Sequence, residues 1–199
     1  MNVYVESNFV LELTLLQEQH AACEAILHFC ETGEARLVVP AFCLVEPLQT
    51  LARAHDERLQ SKRSLEKTLG QLARSAVYAH RVGDFEGLTS LLAGSTDEEV
   101  KRLEAVQARL LDIADVIPLE NAILGGASRS RAKLGLPAQD AVVYSSIVAH
   151  LESVAPLRSC FLTRDRDFSD PDLVDDLRRY DCKLLLSFED GYQYISRPR

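Results

Sequence analysis

Four carboxylates in this chain stand close behind apolar runs or at the head of one. Glu6 follows Val3-Tyr4-Val5, and Glu46 comes shortly after Val38-Val39-Pro40. Asp140 opens the nearly uncharged run of residues 141 to 151, and Asp165 lies just beyond Ser159-Cys160-Phe161-Leu162-Thr163. If the apolar runs are parallel strands, ligands bind outside their carboxyl ends. All four acids then reach one cleft although far apart in the chain. Carboxylates crowded there repel one another unless they are protonated or share a cation. A hard divalent ion suits oxygen ligands of this kind: Mg²⁺ keeps part of its water shell and can be shared with a substrate phosphate. One or two such ions would activate water and stabilise a phosphoryl transition state, which is the chemistry of phosphodiester hydrolysis. Each acid alone has a plainer reading. Asp140 could simply favour its helix N-terminus by about 0.3–1 kcal/mol, Glu6 could cap a helix, and Glu46 could be one more exposed acid. The joint placement is what favours a metal site.

The elements that must carry these groups are legible from periodicity. Residues 2 to 5 read as a first strand. Phe9, Leu13, Leu16, His20, Cys23, Ile26 or Leu27, and Cys30 recur at three- and four-residue intervals, which predicts one helix ending near Gly33. Arg36-Leu37-Val38-Val39 is short and branched enough for a second strand, and Pro40 suits the opening of a helix behind it. From about 41 to 82 the pattern is helical and charged, with Leu44, Leu48, Leu51, Leu59, Leu65, Leu69 and Leu72 as its apolar stripe. Gly83-Asp84 punctuates. Residues 85 to 92 read as a short helix, and a second opens at Ser95-Thr96-Asp97-Glu98-Glu99, where Thr96 and Glu99 have capping-box spacing, and runs to about 113. Residues 120 to 133 are helical up to Gly135. The Asp140 run is a helix buried against the sheet, and residues 159 to 163 are the next strand. Asp170-Pro171-Asp172 starts an amphipathic helix through Tyr180; Lys183-Leu184-Leu185-Leu186 is the last strand, followed by a loop or short terminal helix. Strand and helix in alternation predict a parallel sheet with crossover connections.

Composition bounds the function. The 199 residues, 47% hydrophobic and 26% charged, fit one domain, residues 1–199, with a helical elaboration over about 51–134. No run is long and apolar enough to span a membrane, and Glu6 and Glu12 interrupt any leader-like start, so a cytoplasmic protein is expected. The five cysteines, Cys23, Cys30, Cys43, Cys160 and Cys182, lack zinc-finger spacing and read as buried thiols in a reducing compartment. A net charge of −8 argues against a general nucleic-acid coat, but not against an enzyme whose acids gather at a cation site. There is no Asp-x-Asp after strand one and no Gly-rich phosphate loop, which disfavours a phosphotransferase or phosphatase. His55, His80 and His150 have no nucleophile at recognisable spacing and read as structural. Arg129, Arg131, Lys133, Lys62 and Arg63 read as salt-bridged faces before they read as RNA contacts.

Val3-Tyr4-Val5-Glu6-Ser7-Asn8, Val38-Val39-Pro40 with Glu46, Gln139-Asp140-Ala141, and Phe161-Leu162-Thr163-Arg164-Asp165-Arg166-Asp167-Phe168 together resemble the motifs of the PIN-domain nucleases. The match covers residues 1 to 50 and 135 to 190; the segment between is longer than in compact toxin-type members. The resemblance implies a three-layer α/β fold with a central parallel sheet and an enlarged helical segment, and Mg²⁺- or Mn²⁺-dependent cleavage of RNA. By the same carry-over Glu6, Glu46, Asp140 and Asp165 are catalytic metal-site acids, Asp167 an auxiliary ligand, and Asn8 and Thr163 supporting polar residues. Either Asp165 or Asp167 could be the main ligand, and strand continuity favours Asp165. An antitoxin or other protein partner and a homodimer through helices are family expectations. One departure stands out: the family usually has Asp where this chain has Glu6, a reach longer by roughly 1.5 Å. A PIN-like fold that has lost catalysis and serves as a binding or assembly module is therefore the alternative.

Overall fold

A computed structural model describes residues 1–82 and 85–197. Five strands form its centre: β1 (Asn2–Val5), β2 (Arg36–Pro40), β3 (Asp115–Ile117), β4 (Ser159–Leu162) and β5 (Cys182–Leu185). They are parallel and lie in the order β3-β2-β1-β4-β5. The helices are α1 (Ser7–Leu15), α2 (His20–Glu31), α3 (Ala41–Ala73), α4 (Ala79–Val82), α5 (Glu86–Ile113), α6 (Asn121–Leu134), α7 (Ala138–Val154), α8 (Pro171–Arg178) and α9 (Phe188–Ile195). The chain runs from β1 outward to β2 and β3 on one side, then returns to place β4 and β5 on the other. That reversal puts a crevice beyond the carboxyl ends of β1 and β4, the place where open α/β sheets bind ligands.

Strand alternation sorts the two faces. Tyr4 is in register with Phe161, and Val5 with Leu162, so each pair shares a face and the two pairs point oppositely. On Tyr4's face, its hydroxyl lies 2.8 Å from His150 Nδ1 in α7. The far ring nitrogen of His150 meets Asp115 at 3.2 Å, and Asp115 is paired with Arg36 at 2.7 Å. His150 is thus structural, as expected, joining α7 to β1 and β3. On the opposite face Leu162 packs on α9, where Gly191 makes room: a Cβ there would sit 2.9 Å from both Leu162 methyl carbons. Phe9 of α1 meets Phe188 of α9 edge-on, with centroids 5.5 Å apart. The result is the expected three-layer α/β fold, with α6 and α7 on one face and α1, α2 and α9 on the other. All five cysteines are free and buried, and no helix among the described residues is long and apolar enough to cross a membrane.

Several element boundaries differ from those read in sequence. The helix expected from Phe9 to Gly33 is two helices, because Leu16 takes a left-handed conformation, φ 53°. Leu16 kept the helical spacing yet is 54% exposed. Across the break the Glu12 carboxylate accepts from the Gln19 N–H at 2.9 Å, tying the end of α1 to the start of α2. The two helices expected over 85–92 and 95–113 are one, α5. Its Thr96 hydroxyl bonds His55 at 3.0 Å, while Ser95 and Glu99 bond Arg58 at 3.1 and 2.6 Å, so these side chains hold α3 and do not cap a new helix. α3 and α5 run antiparallel as the helical enlargement, with Gln107 at Leu44 and Thr96 at His55. Of the α3 leucine stripe Leu44 and Leu51 are buried, whereas Leu48 and Leu72 are exposed. The expected punctuation at Gly83-Asp84 lies outside the described residues. β3 was not foreseen; three residues, one of them charged, carry almost no periodic signal.

Candidate metal centre

Glu6 ends β1 and caps α1. Its Oε2 accepts from the Asn8 N–H at 2.8 Å and its Oε1 from the Thr163 hydroxyl at 3.0 Å. The residue is 6% exposed. Burial is the largest influence on its carboxyl and pushes it from an ordinary 4.5 up to about 7; the two hydrogen bonds work the other way, and the charges of Asp165 and Glu46 add to the rise. Asn8 therefore contributes its backbone N–H. Thr163, fully buried, also accepts from the Asp165 N–H at 2.8 Å, so one hydroxyl spans the ends of β1 and β4.

Beyond Thr163 the chain turns into a short 3₁₀ segment (Arg166–Ser169), which Asp165 caps by accepting from the Asp167 N–H at 2.8 Å. The segment is anchored by Phe168, 1% exposed and edge-on to Phe161 at 5.0 Å. This turn brings Asp165 and Asp167 to the same side. Asp140 arrives from the first turn of α7. One carboxylate oxygen from each of Asp140, Asp165 and Asp167 lies within 4.8 Å of the other two. Burial raises the Asp140 carboxyl from 3.8 to about 6, followed by repulsion from Asp165, Asp167 and Glu46. Glu46 approaches from the first turns of α3, where its carboxylate accepts from the Ser7 hydroxyl.

The structure thus gathers Asp140, Asp165 and Asp167 into a close triad, with Glu46 near enough to influence Asp140 and Glu6 beneath, coupled to Asp165 through Thr163. Glu6 and Glu46 are not members of the triad among the described residues. Two residues escaped the sequence reading. Ser7 has no signal of its own, since a serine at a helix start reads as a cap. Arg164 reads in sequence as one more charge of the Thr163–Phe168 motif, yet it reaches Glu12, a carboxylate 1% exposed in α1. Lys62, by contrast, pairs with Glu66 at 3.7 Å, the solvated-face arrangement expected of it.

Three hard oxygen donors that cannot all remain ionised without cost form a donor set that fits Mg²⁺ or Mn²⁺ and poorly fits a soft metal. The triad is accessible to solvent, with Asp167 exposed and Asp140 and Asp165 half-buried. A family model described as a PIN domain matches residues 3–168. Comparisons with curated proteins and with solved structures gave no match.

Proposed function

The chain belongs to the PIN-domain family, and from that premise we propose that it is a Mg²⁺- or Mn²⁺-dependent endoribonuclease. The observation that carries the reading is the Asp140, Asp165 and Asp167 triad, whose carboxylate oxygens lie within 4.8 Å of one another at the mouth of the crevice. In this reading those three acids would hold the ion, with Glu46 beside them. A divalent ion held there would polarise a phosphoryl oxygen and make water a better nucleophile. Ser7 keeps Glu46 turned toward the crevice. Thr163 fixes the separation between Glu6 and the Asp165 backbone, and the Asp165 cap holds the Asp167 backbone in the turn. Glu6, buried and bonded through both oxygens, supports the site from below.

The whole chain is read as one PIN-like domain whose paired helices α3 and α5 enlarge it. The test is cleavage of single-stranded RNA with Mn²⁺ or Mg²⁺ and with a chelator. Parent activity that depends on the ion and disappears in Asp140→Asn, with folding intact, supports the reading; an active Asp140→Asn refutes it. The non-catalytic module keeps one observation in its favour: Glu6 commits both carboxylate oxygens to the Asn8 N–H and the Thr163 hydroxyl and stands outside the triad. Failure of millimolar Mn²⁺ to raise thermal stability would select it, since a ligand that binds only the native state must stabilise it.

A further inference from the structure

Arg164 stands between Thr163 and the triad residue Asp165, yet its guanidinium turns toward α1. It reaches Glu12 in α1 and, at 3.1 Å, Glu18 in the α1–α2 connection. Glu12 is almost wholly buried, and Arg164 is the cation paired with it. The other oxygen of Glu12 accepts from the Gln19 N–H at 2.9 Å, and the Gln19 side chain accepts from the Phe188 N–H of α9 at 2.6 Å. Arg164 is therefore tied to a network that runs through α1, α2 and α9, the layer on the far side of the sheet from α7.

The loop it belongs to alternates. Thr163 points into the core, Arg164 is drawn to α1, Asp165 faces Asp140, and Phe168 returns to the core. Asp165 is in extended conformation, φ −79° and ψ 122°. Successive side chains of an extended segment point oppositely. A side chain held on one side at 164 accordingly turns the next toward α7. Thr163 sets where the loop leaves the core and holds the Asp165 N–H, Phe168 sets where it re-enters, and Arg164 adds a hold from the α1 layer.

We propose that the Glu12–Arg164 ion pair is a positioning device for the metal centre, holding the Asp165–Asp167 turn in the rotation that closes the triad with Asp140. The inference rests on the metal-site reading above. Outer partners bonded directly to a metal ligand are typically worth about 10–100-fold in metal affinity, which sets the scale for Arg164, acting on Asp165 through the backbone of the turn.

The single change Arg164→Met leaves the Glu12 carboxylate buried without a cation and can fail to fold. The deciding variant is Glu12→Gln/Arg164→Met, which removes both charges and keeps an acceptor for the Gln19 N–H. Mn²⁺ is titrated calorimetrically into the parent, the double variant and Arg164→Lys, and the thermal midpoint is measured for each in chelator. The expected result is a double variant with a near-parental midpoint without metal and a dissociation constant for Mn²⁺ raised about 10–100-fold, and an intermediate value for Arg164→Lys. A double variant that folds and binds Mn²⁺ like the parent overturns the positioning role while leaving the metal reading intact. A parent that takes up no Mn²⁺ overturns both.

Discussion

Glu6→Gln separates the cost of the buried carboxylate from its use. The Glu6 carboxyl titrates near 7 in the folded protein against an ordinary 4.5. Its folded-state value lies above the unfolded one, so the folded state binds the proton more tightly. The associated stability is present in full below about pH 4.5 and is lost as pH rises through about 7. At roughly 1.4 kcal/mol per unit, the ionised form costs about 3 kcal/mol. Glutamine has nearly the same shape, carries no charge and can still accept from the Asn8 N–H. Its amide must face the Thr163 hydroxyl, whose proton then loses its acceptor at a cost of about 1 kcal/mol. The net expectation in chelator at about pH 8.5 is a gain of about 2 kcal/mol. For a chain of this size that is about 4–8 °C in Tm. Below about pH 4.5 the gain is gone and the lost hydrogen bond leaves the variant less stable by about 1 kcal/mol. The assay is thermal unfolding of parent and variant across pH, without metal. Parallel pH profiles for the two proteins would refute the burial argument. Saturating Mn²⁺ at high pH should then stabilise the parent more than Glu6→Gln, because the parent has one more buried negative charge for the ion to offset.

Asp140→Asn should abolish ion-dependent RNA cleavage, losing more than the about 100-fold that accompanies removal of an outer partner, measured by single-turnover cleavage. Because metal ligands must be deprotonated, and the Asp140 carboxyl is raised to about 6, Mn²⁺ affinity should climb from about pH 5 to about 7 and then level off. Calorimetry across that range checks it, and a flat profile would contradict it. Gly191→Ala should destabilise despite the better helix propensity of alanine, by a net of about 1 kcal/mol, since its Cβ meets both Leu162 methyls at 2.9 Å in the filled core. Urea unfolding gives the value.

The parallel sheet was readable because its strands are buried on both faces and so appear as unbroken apolar runs, as Val3-Tyr4-Val5 and Cys160-Phe161-Leu162 do. Periodicity failed where a local signal had been taken over by a distant partner. Thr96 and Glu99 have the spacing of a cap, but His55 and Arg58 engage them, so α5 runs on through Gly94. Leu16 keeps the helical interval and still ends α1 in a left-handed turn, across which Glu12 bonds Gln19 and Arg164. Neither partner can be inferred from residues three or four apart.

At the site the acids were legible and their division of labour was not. Parallel-strand logic places Glu6, Glu46, Asp140 and Asp165 at one edge, and it treats them alike. Burial distinguishes them: Glu6 is enclosed with both oxygens occupied, while Asp140 and Asp165 are half-buried and Asp167 is exposed. The longer side chain of Glu6 belongs with this arrangement. It caps α1 through the Asn8 N–H while also reaching Thr163 on the neighbouring strand. The substitution that sets Glu6 apart from the usual aspartate thus coincides with a residue serving two strand ends at once. Whether the ion's charge offsets the burial of that carboxylate is what the paired pH and Mn²⁺ profiles of Glu6→Gln decide.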